Sequence, residues 1–144
     1  MKEFQYTIQI NATKERVWTT LWDDLTFRDW AGIIDEGTYM KGEMIEGNRI
    51  QYISSVNGYG VTSLIEKLIP NVFIQLRHCA DTKESGAQER EKEWTGGTES
   101  YSLVEKNGVT TLIFITDFPE ELEEILSVSF PKALERVRTL AESS

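Results

Sequence analysis

The chain predicts an α+β fold: a curved antiparallel sheet of about six to seven strands wrapped around one long C-terminal helix, with two short helices after the first strand. Three observations carry this. Between Asp117 and Ala141, residues Leu122, Ile125, Leu126, Phe130, Ala133, Leu134, Val137 and Ala141 recur at three- and four-residue spacing, a broad apolar stripe on one helix face. Such a helix is not stable alone in water and needs an apolar surface to lie on. Lys2 to Ile10 alternates Phe4, Tyr6, Ile8 and Ile10 against polar residues, the mark of a half-buried strand. From Asp35 to Thr116 only strand patterns follow, so no strand–helix alternation exists to build a parallel sheet.

Element by element, Asn11 or Thr13 caps a first helix with Val17, Trp18, Leu21 and Trp22 on one face. Asp23-Asp24 ends or bends it. A second piece, Leu25 to Ala31, carries Phe27 and Trp30 and stops at Gly32. Strands are expected over Asp35–Lys41, Gly47–Ser54, Tyr59–Ile69 and Val72–Cys79, the last with Ile74, Leu76 and His78 on an inward face and Gln75 and Arg77 outward. Ala80 to Glu93 is polar and charge-dense and reads mostly as a mobile loop. Thr98–Glu105 and Val109–Thr116 flank Asn107-Gly108, the preferred pair for a tight hairpin. That turn sets Tyr101 opposite Phe114 and Leu103 opposite Leu112 on an interior face. Ile113 and Ile115 fall on the other face, where they would allow a sheet-face dimer. In the closing helix, Pro119 suits the first turn. Pro131 inside it removes a backbone hydrogen bond at a cost of roughly 3 kcal/mol. The apolar stripe crosses Pro131 in phase, which predicts one kinked helix rather than two.

Length and composition bound the rest. With 144 residues the chain reads as one domain, 1–144. Its 24 acidic against 15 basic residues give a net charge of −9, the wrong sign for gripping a phosphate backbone, so no nucleic acid is expected. No apolar run approaches the roughly 20 residues of a membrane span. The opening Met1-Lys2-Glu3-Phe4 does not resemble a secretion signal. One cysteine, Cys79, excludes an internal disulfide, and the expectation is a cytoplasmic protein. One histidine and no cysteine cluster leave no zinc site of the usual kind. Gly37–Gly42 and Gly42–Gly47 have phosphate-loop spacing but put Glu43 and Asn48 where lysine is needed, and Gly58-Tyr59-Gly60 lacks a third glycine. No nucleotide, metal or other cofactor is expected.

At this point a resemblance is visible. Ile10-Asn11-Ala12-Thr13-Lys14-Glu15-Arg16-Val17-Trp18 resembles the strand-to-helix opening of the START-like (SRPBCC) superfamily. Leu21, Asp24 and Trp30, then Gly47-Asn48-Arg49-Ile50, resemble its subfamily related to the activator of the heat-shock protein 90 ATPase. The Gly60–Pro70 strand, the Asn107-Gly108 hairpin and the closing helix extend the similarity over nearly the whole chain. One departure stands in the closing helix, where Phe130-Pro131 replaces the tryptophan common near its middle. The resemblance implies a helix-grip fold whose last helix is held by the sheet over an apolar cavity, binding lipids, polyketides or aromatic compounds.

A curved sheet cannot close completely over one helix, so the gap is either packed with large side chains or left as a pocket. The expected lining is Trp30, Tyr39, Tyr52, Leu64, Leu76, His78, Trp94, Tyr101, Phe114, Leu126 and Phe130. Aromatic rings with polar handles suit an apolar ligand that must also be oriented. Among the carboxylates, Glu99 shares the parity of Tyr101. Sequence spacing shows no defined acid pair, so Asp23, Asp24, Asp29 and Glu99 are read as solvated surface. Three readings follow. The preferred one is a binding module for a small hydrophobic molecule, without catalysis. The others are a chaperone-activator-like interaction module, implied by the resemblance, and a cavity enzyme of cyclase or dehydratase type using His78 as polar anchor or base.

Overall fold

The computed structural model describes residues 2–56, 58–83, 89–90 and 96–143. Strand β1 (Lys2–Ile10) leads into α1 (Lys14–Trp22), whose first turn is capped by Thr13: its hydroxyl accepts the Arg16 N–H at 3.2 Å. Asp23, extended at φ −64° and ψ 140°, separates α1 from α2 (Asp24–Ala31). The chain then lays down β2 (Thr38–Lys41), β3 (Arg49–Ser54), β4 (Tyr59–Ile69), β5 (Phe73–Lys83), the two-residue β6 (Glu89–Arg90), β7 (Thr98–Lys106) and β8 (Val109–Phe118). A 3-10 turn, Glu120–Leu122, precedes α3 (Glu123–Glu142).

The antiparallel sheet runs β1-β8-β7-β5-β4-β3-β2, with β6 pairing β5 off this path. Asn107 (φ 55°) and Gly108 (φ 78°) make the β7–β8 turn with both central residues left-handed, the geometry that suits the twist of a two-residue hairpin. Tyr101 pairs Phe114 and Leu103 pairs Leu112, as expected. Two register irregularities bend the β4–β5 ribbon. Thr62 pairs Ala80 while Ser63 pairs His78, leaving Cys79 as the extra residue. Ile65 pairs Leu76 while Lys67 pairs Gln75, leaving Glu66. Side chains from α1, α2 and α3 meet the inward rows of the sheet in one apolar cluster that includes Leu21, Trp22, Phe27, Trp30, Ile65, Leu76, Tyr101, Phe114, Leu126, Phe130 and Leu134.

Three expectations need correction. The closing helix does not begin at Asp117: the in–out alternation of β8 persists to Phe118. Asp117 on the outer face accepts the Thr98 N–H at 3.0 Å, and Phe118 turns inward. The residue before a proline favours extended backbone, so the helix waits until Glu123. It then runs through Pro131 as one helix. Second, part of the expected loop after Cys79 is strand, because β5 continues to Lys83 and Glu89–Arg90 pairs back onto Asp81 and Thr82. Residues 84–88 and 91–95, the rest of that stretch apart from Glu89–Arg90, lie outside the described residues. Third, Glu99 is not solvated surface but buried.

Candidate functional site

Alternation along β7 turns Glu99, Tyr101 and Leu103 to the same inward face. In the register, Glu99 lies between Leu76 of β5 and Thr116 of β8, so an acid sits in an otherwise apolar row. It is 6% exposed, and Tyr101 beside it 2%. The Tyr101 hydroxyl donates to Glu99 Oε2 at 2.5 Å. His78 and Ser63, each 1% exposed, flank it: Ser63 Oγ lies 2.8 Å from His78 Nδ1, and His78 Nε2 lies 3.8 Å from Glu99 Oε1. The extra residue at Cys79 is what sets His78 directly across from Ser63. With the Ser63 hydroxyl donating to Nδ1, a neutral imidazole carries its hydrogen on Nε2, the nitrogen facing Glu99.

Burial decides the charges here. It pushes the Glu99 carboxyl up to about 7, against a downward pull from the Tyr101 hydrogen bond. It pulls the His78 imidazole down to about 4, with Asp117 opposing weakly. At neutral pH the histidine is therefore uncharged and the acid near half-protonated. The contact between them is not an ion pair, although its geometry resembles one. Burial likewise raises both Tyr101 and Tyr52 well above the usual phenol range, and the Glu99 charge adds to the rise in each. The Tyr52 hydroxyl thus belongs to the same electrostatic group.

Around this polar group stands a continuous set of rings. Trp22 meets Tyr101 edge-on at 5.0 Å between ring centroids, and Trp30 approaches Tyr101 at 6.3 Å. Phe27 lies 5.4 Å from Tyr52 and 5.2 Å from Trp30. Tyr101 contacts Phe114 at 5.0 Å, and Phe114 contacts Phe130 of α3 at 4.9 Å. Phe4 and Phe118 close the far side of Phe130, at 6.1 and 6.4 Å. Under the middle of α3 the gap is therefore occupied by phenylalanine rings. The polar atoms lie toward α2 and β3.

Two of those atoms lack a partner among the described residues: the Tyr52 hydroxyl and the Trp22 indole N–H, both buried. The contrast with Trp30 is direct, since its indole N–H donates to the Leu21 carbonyl at 3.1 Å. Tyr52 is half-buried as a residue, while its hydroxyl is buried. Gly60 lets the neighbouring backbone come this close: a Cβ there would stand 1.8 Å from the Tyr52 carbonyl oxygen.

Of the residues expected to line a cavity, Trp30, Leu76, Tyr101, Phe114, Leu126 and Phe130 share the core, Tyr52 packs against it, and His78 is buried on the same inward side. Leu64 is on the outer face, between Arg49 and Arg77 in the register. There Arg77 Nε donates to Glu66 at 2.7 Å and Gln75 donates to the same carboxylate at 2.9 Å. Tyr39 carries the Arg28 guanidinium over its ring at 5.2 Å, away from Tyr101. Trp94 lies outside the described residues. Glu99, Ser63, Trp22 and Phe27 are residues of this candidate site that the expected lining did not include. Parity with Tyr101 pointed to Glu99. Trp22 was legible on the apolar face of the first helix with Val17, Trp18 and Leu21, and Ser63 gave no signal. Among the described residues no three His, Cys, Asp or Glu side chains are grouped to hold a metal ion, and no helix is long and apolar enough to cross a membrane.

A C-terminal helix gripped by a curled antiparallel sheet, with two short helices after strand one, is the helix-grip fold. Solved structures agree with this. Protein CV1439 from Chromobacterium violaceum is 15% identical over 100% of both chains, with a TM-score of 0.73. The Aha1 dimer from Colwellia psychrerythraea is 19% identical over 99% of this chain and 98% of that one, with a TM-score of 0.72. DynU16, from the dynemicin biosynthetic locus, is 12% identical over 99% of this chain and 48% of that one, again at 0.72. No family model matches the sequence, and no curated protein matches it.

Proposed function

We propose that this chain binds a small hydrophobic molecule in the interior bounded by α2, α3 and the sheet. The observation that carries the reading is a buried polar group, Glu99 with Tyr101, Tyr52 and His78, set among aromatic rings, with two buried donors, the Tyr52 hydroxyl and the Trp22 indole N–H, lacking a partner among the described residues. Buried polar atoms are ordinarily hydrogen-bonded, because an orphan costs about 1–3 kcal/mol. An apolar surround with a few convergent polar atoms is how small-molecule sites are built. Trp30, Phe27, Tyr101, Phe114, Leu76 and Leu126 supply the walls, with Phe130 closing the side under α3. Met40, cross-strand neighbour of Tyr52, is partly buried against the same core. A neighbour of the same fold, DynU16, is a protein in the dynemicin biosynthetic locus, and this chain spans about half of its length.

The test is a thermal-shift screen with lipids and aromatic compounds, followed by native mass spectrometry of any hit. Binding to the folded state alone adds about 2.7 kcal/mol of stability at a hundredfold excess over Kd and so raises the midpoint. A one-to-one adduct and a shift that grows with ligand concentration are expected. A flat response across chemically diverse compounds would overturn the reading.

Self-association is a second reading, favoured by the Aha1 dimer among the structural neighbours and by half-buried Ile113 and Ile115 on the outer face of β8. Sedimentation velocity at two concentrations tests it; a concentration-independent monomer ends it.

A further inference from the structure

The chemistry of the ligand can be narrowed by counting what the buried site leaves unused, an argument that rests on the binding reading above. Ser63 and His78 satisfy each other through Nδ1 at 2.8 Å. The Tyr101 hydrogen is given to Glu99. What is left unpaired among the described residues is the Tyr52 O–H and the Trp22 N–H. The indole nitrogen can only donate. Trp22 and Tyr52 are linked through the Phe27 ring, at 6.2 and 5.4 Å between centroids, and Trp22 meets Tyr101 at 5.0 Å. When Glu99, hydrogen-bonded to Tyr101, holds its proton, its O–H is a third donor in this cluster. The site is therefore short of acceptors.

Charge narrows the choice further. Among the described residues no lysine or arginine is buried. An anionic ligand would have to lie beside Glu99 without a cation, and a buried charge without a partner is strongly disfavoured. The net charge of −9 opposes its approach as well. A cation would lack the ionised partner it needs whenever Glu99 is protonated, and it would bring more donors to a site that already has too many.

We infer that the ligand is a neutral, mostly apolar molecule carrying an acceptor oxygen, such as a ketone, quinone or ester carbonyl, seated against the Tyr52 hydroxyl with the Trp22 indole N–H as a second donor. The rings of Trp22, Phe27, Trp30 and Tyr101 hold its skeleton, and one oxygen fixes its orientation.

Matched probes built on one-, two- and three-ring skeletons test this: ketones (acetophenone, benzophenone, fluorenone), their hydrocarbon counterparts (ethylbenzene, diphenylmethane, fluorene) and the corresponding carboxylates. Affinities are read by isothermal titration calorimetry. The ketones are expected to bind about tenfold tighter than the hydrocarbons, the worth of a buried hydrogen bond, and the carboxylates weakest. In Tyr52→Phe the ketone-to-hydrocarbon ratio should fall toward one. In the wild type, the Trp22 indole N–H resonance should move downfield with ketones and less with hydrocarbons. Ketones and hydrocarbons binding equally would overturn the inference and leave the binding reading standing, as would carboxylates binding best. Failure of every probe, hydrocarbons included, would remove both.

Discussion

Glu99 and His78 titrate in opposite senses, and together they set how the protein responds to pH. A carboxyl raised from 4.5 in the unfolded chain to about 7 in the fold stays protonated in the native state while the unfolded chain has already lost its proton. Stability from this group is full below about 4.5 and is lost as pH rises toward 7. His78, lowered from 6.5 to about 4, does the reverse: the unfolded chain binds a proton that the native state refuses, so stability rises as pH rises from about 4 to 6.5. In the wild type the two slopes oppose each other over most of that range. Glu99→Gln removes one of them while keeping an acceptor for the Tyr101 hydroxyl. Urea unfolding should therefore find Glu99→Gln gaining on the wild type between pH 4.5 and pH 7, by up to about 3 kcal/mol, and holding that gain above. A difference independent of pH would mean that Glu99 is solvated. The sequence displayed Glu99 on the right face, but one acid among 24 acidic residues carries no sign of burial. Burial comes from Leu76, Thr116, His78 and Tyr101, brought together only by the sheet.

At the scale of elements, local chemistry was legible wherever it acts within a few residues. Thr13 caps α1, alternation defines β1, β7 and β8, and Asn107-Gly108 makes the hairpin. The extra residues at Cys79 and Glu66 were not legible, because a bulge is a mismatch between two strands and neither strand shows it alone. They decide which side chains face inward: Ser63 meets His78, and Leu64 goes to the outer face beside Arg77. Gly60 is the element-scale test. Its φ is ordinary, so the demand on it is space, not backbone conformation: any Cβ would press on the Tyr52 carbonyl. Gly60→Ala should push β3 off β4, costing about 2 kcal/mol or more, and weaken ligand binding beyond its effect on stability because Tyr52 moves with β3. Calorimetry together with the ketone titration checks both effects. An alanine variant of wild-type stability and affinity would show that the two strands have room to spare.

Across the whole molecule, polar groups are sorted by face. The outer surface of the sheet carries Glu66 with Gln75 and Arg77, and Thr98 with Asp117. On the helical side, Arg136 of α3 grips Asp29 of α2 through two hydrogen bonds, 2.8 and 3.0 Å. Inside, the buried group of Glu99, Tyr101, Tyr52 and His78 lies among the rings toward α2, rather than under the middle of α3, where Phe4, Phe114, Phe118 and Phe130 meet. On the proposed binding reading, that asymmetry puts a guest at the Tyr52–Glu99 end. The most direct measurement is a two-dimensional NMR titration of the labelled protein with a compound that raises its melting point. The account predicts that the Trp22 indole N–H and the amides of Tyr52, Glu99, Tyr101 and α2 move first and furthest. Shifts confined to the outer face around Glu66 and Arg77, with the Trp22 indole unmoved, would contradict it.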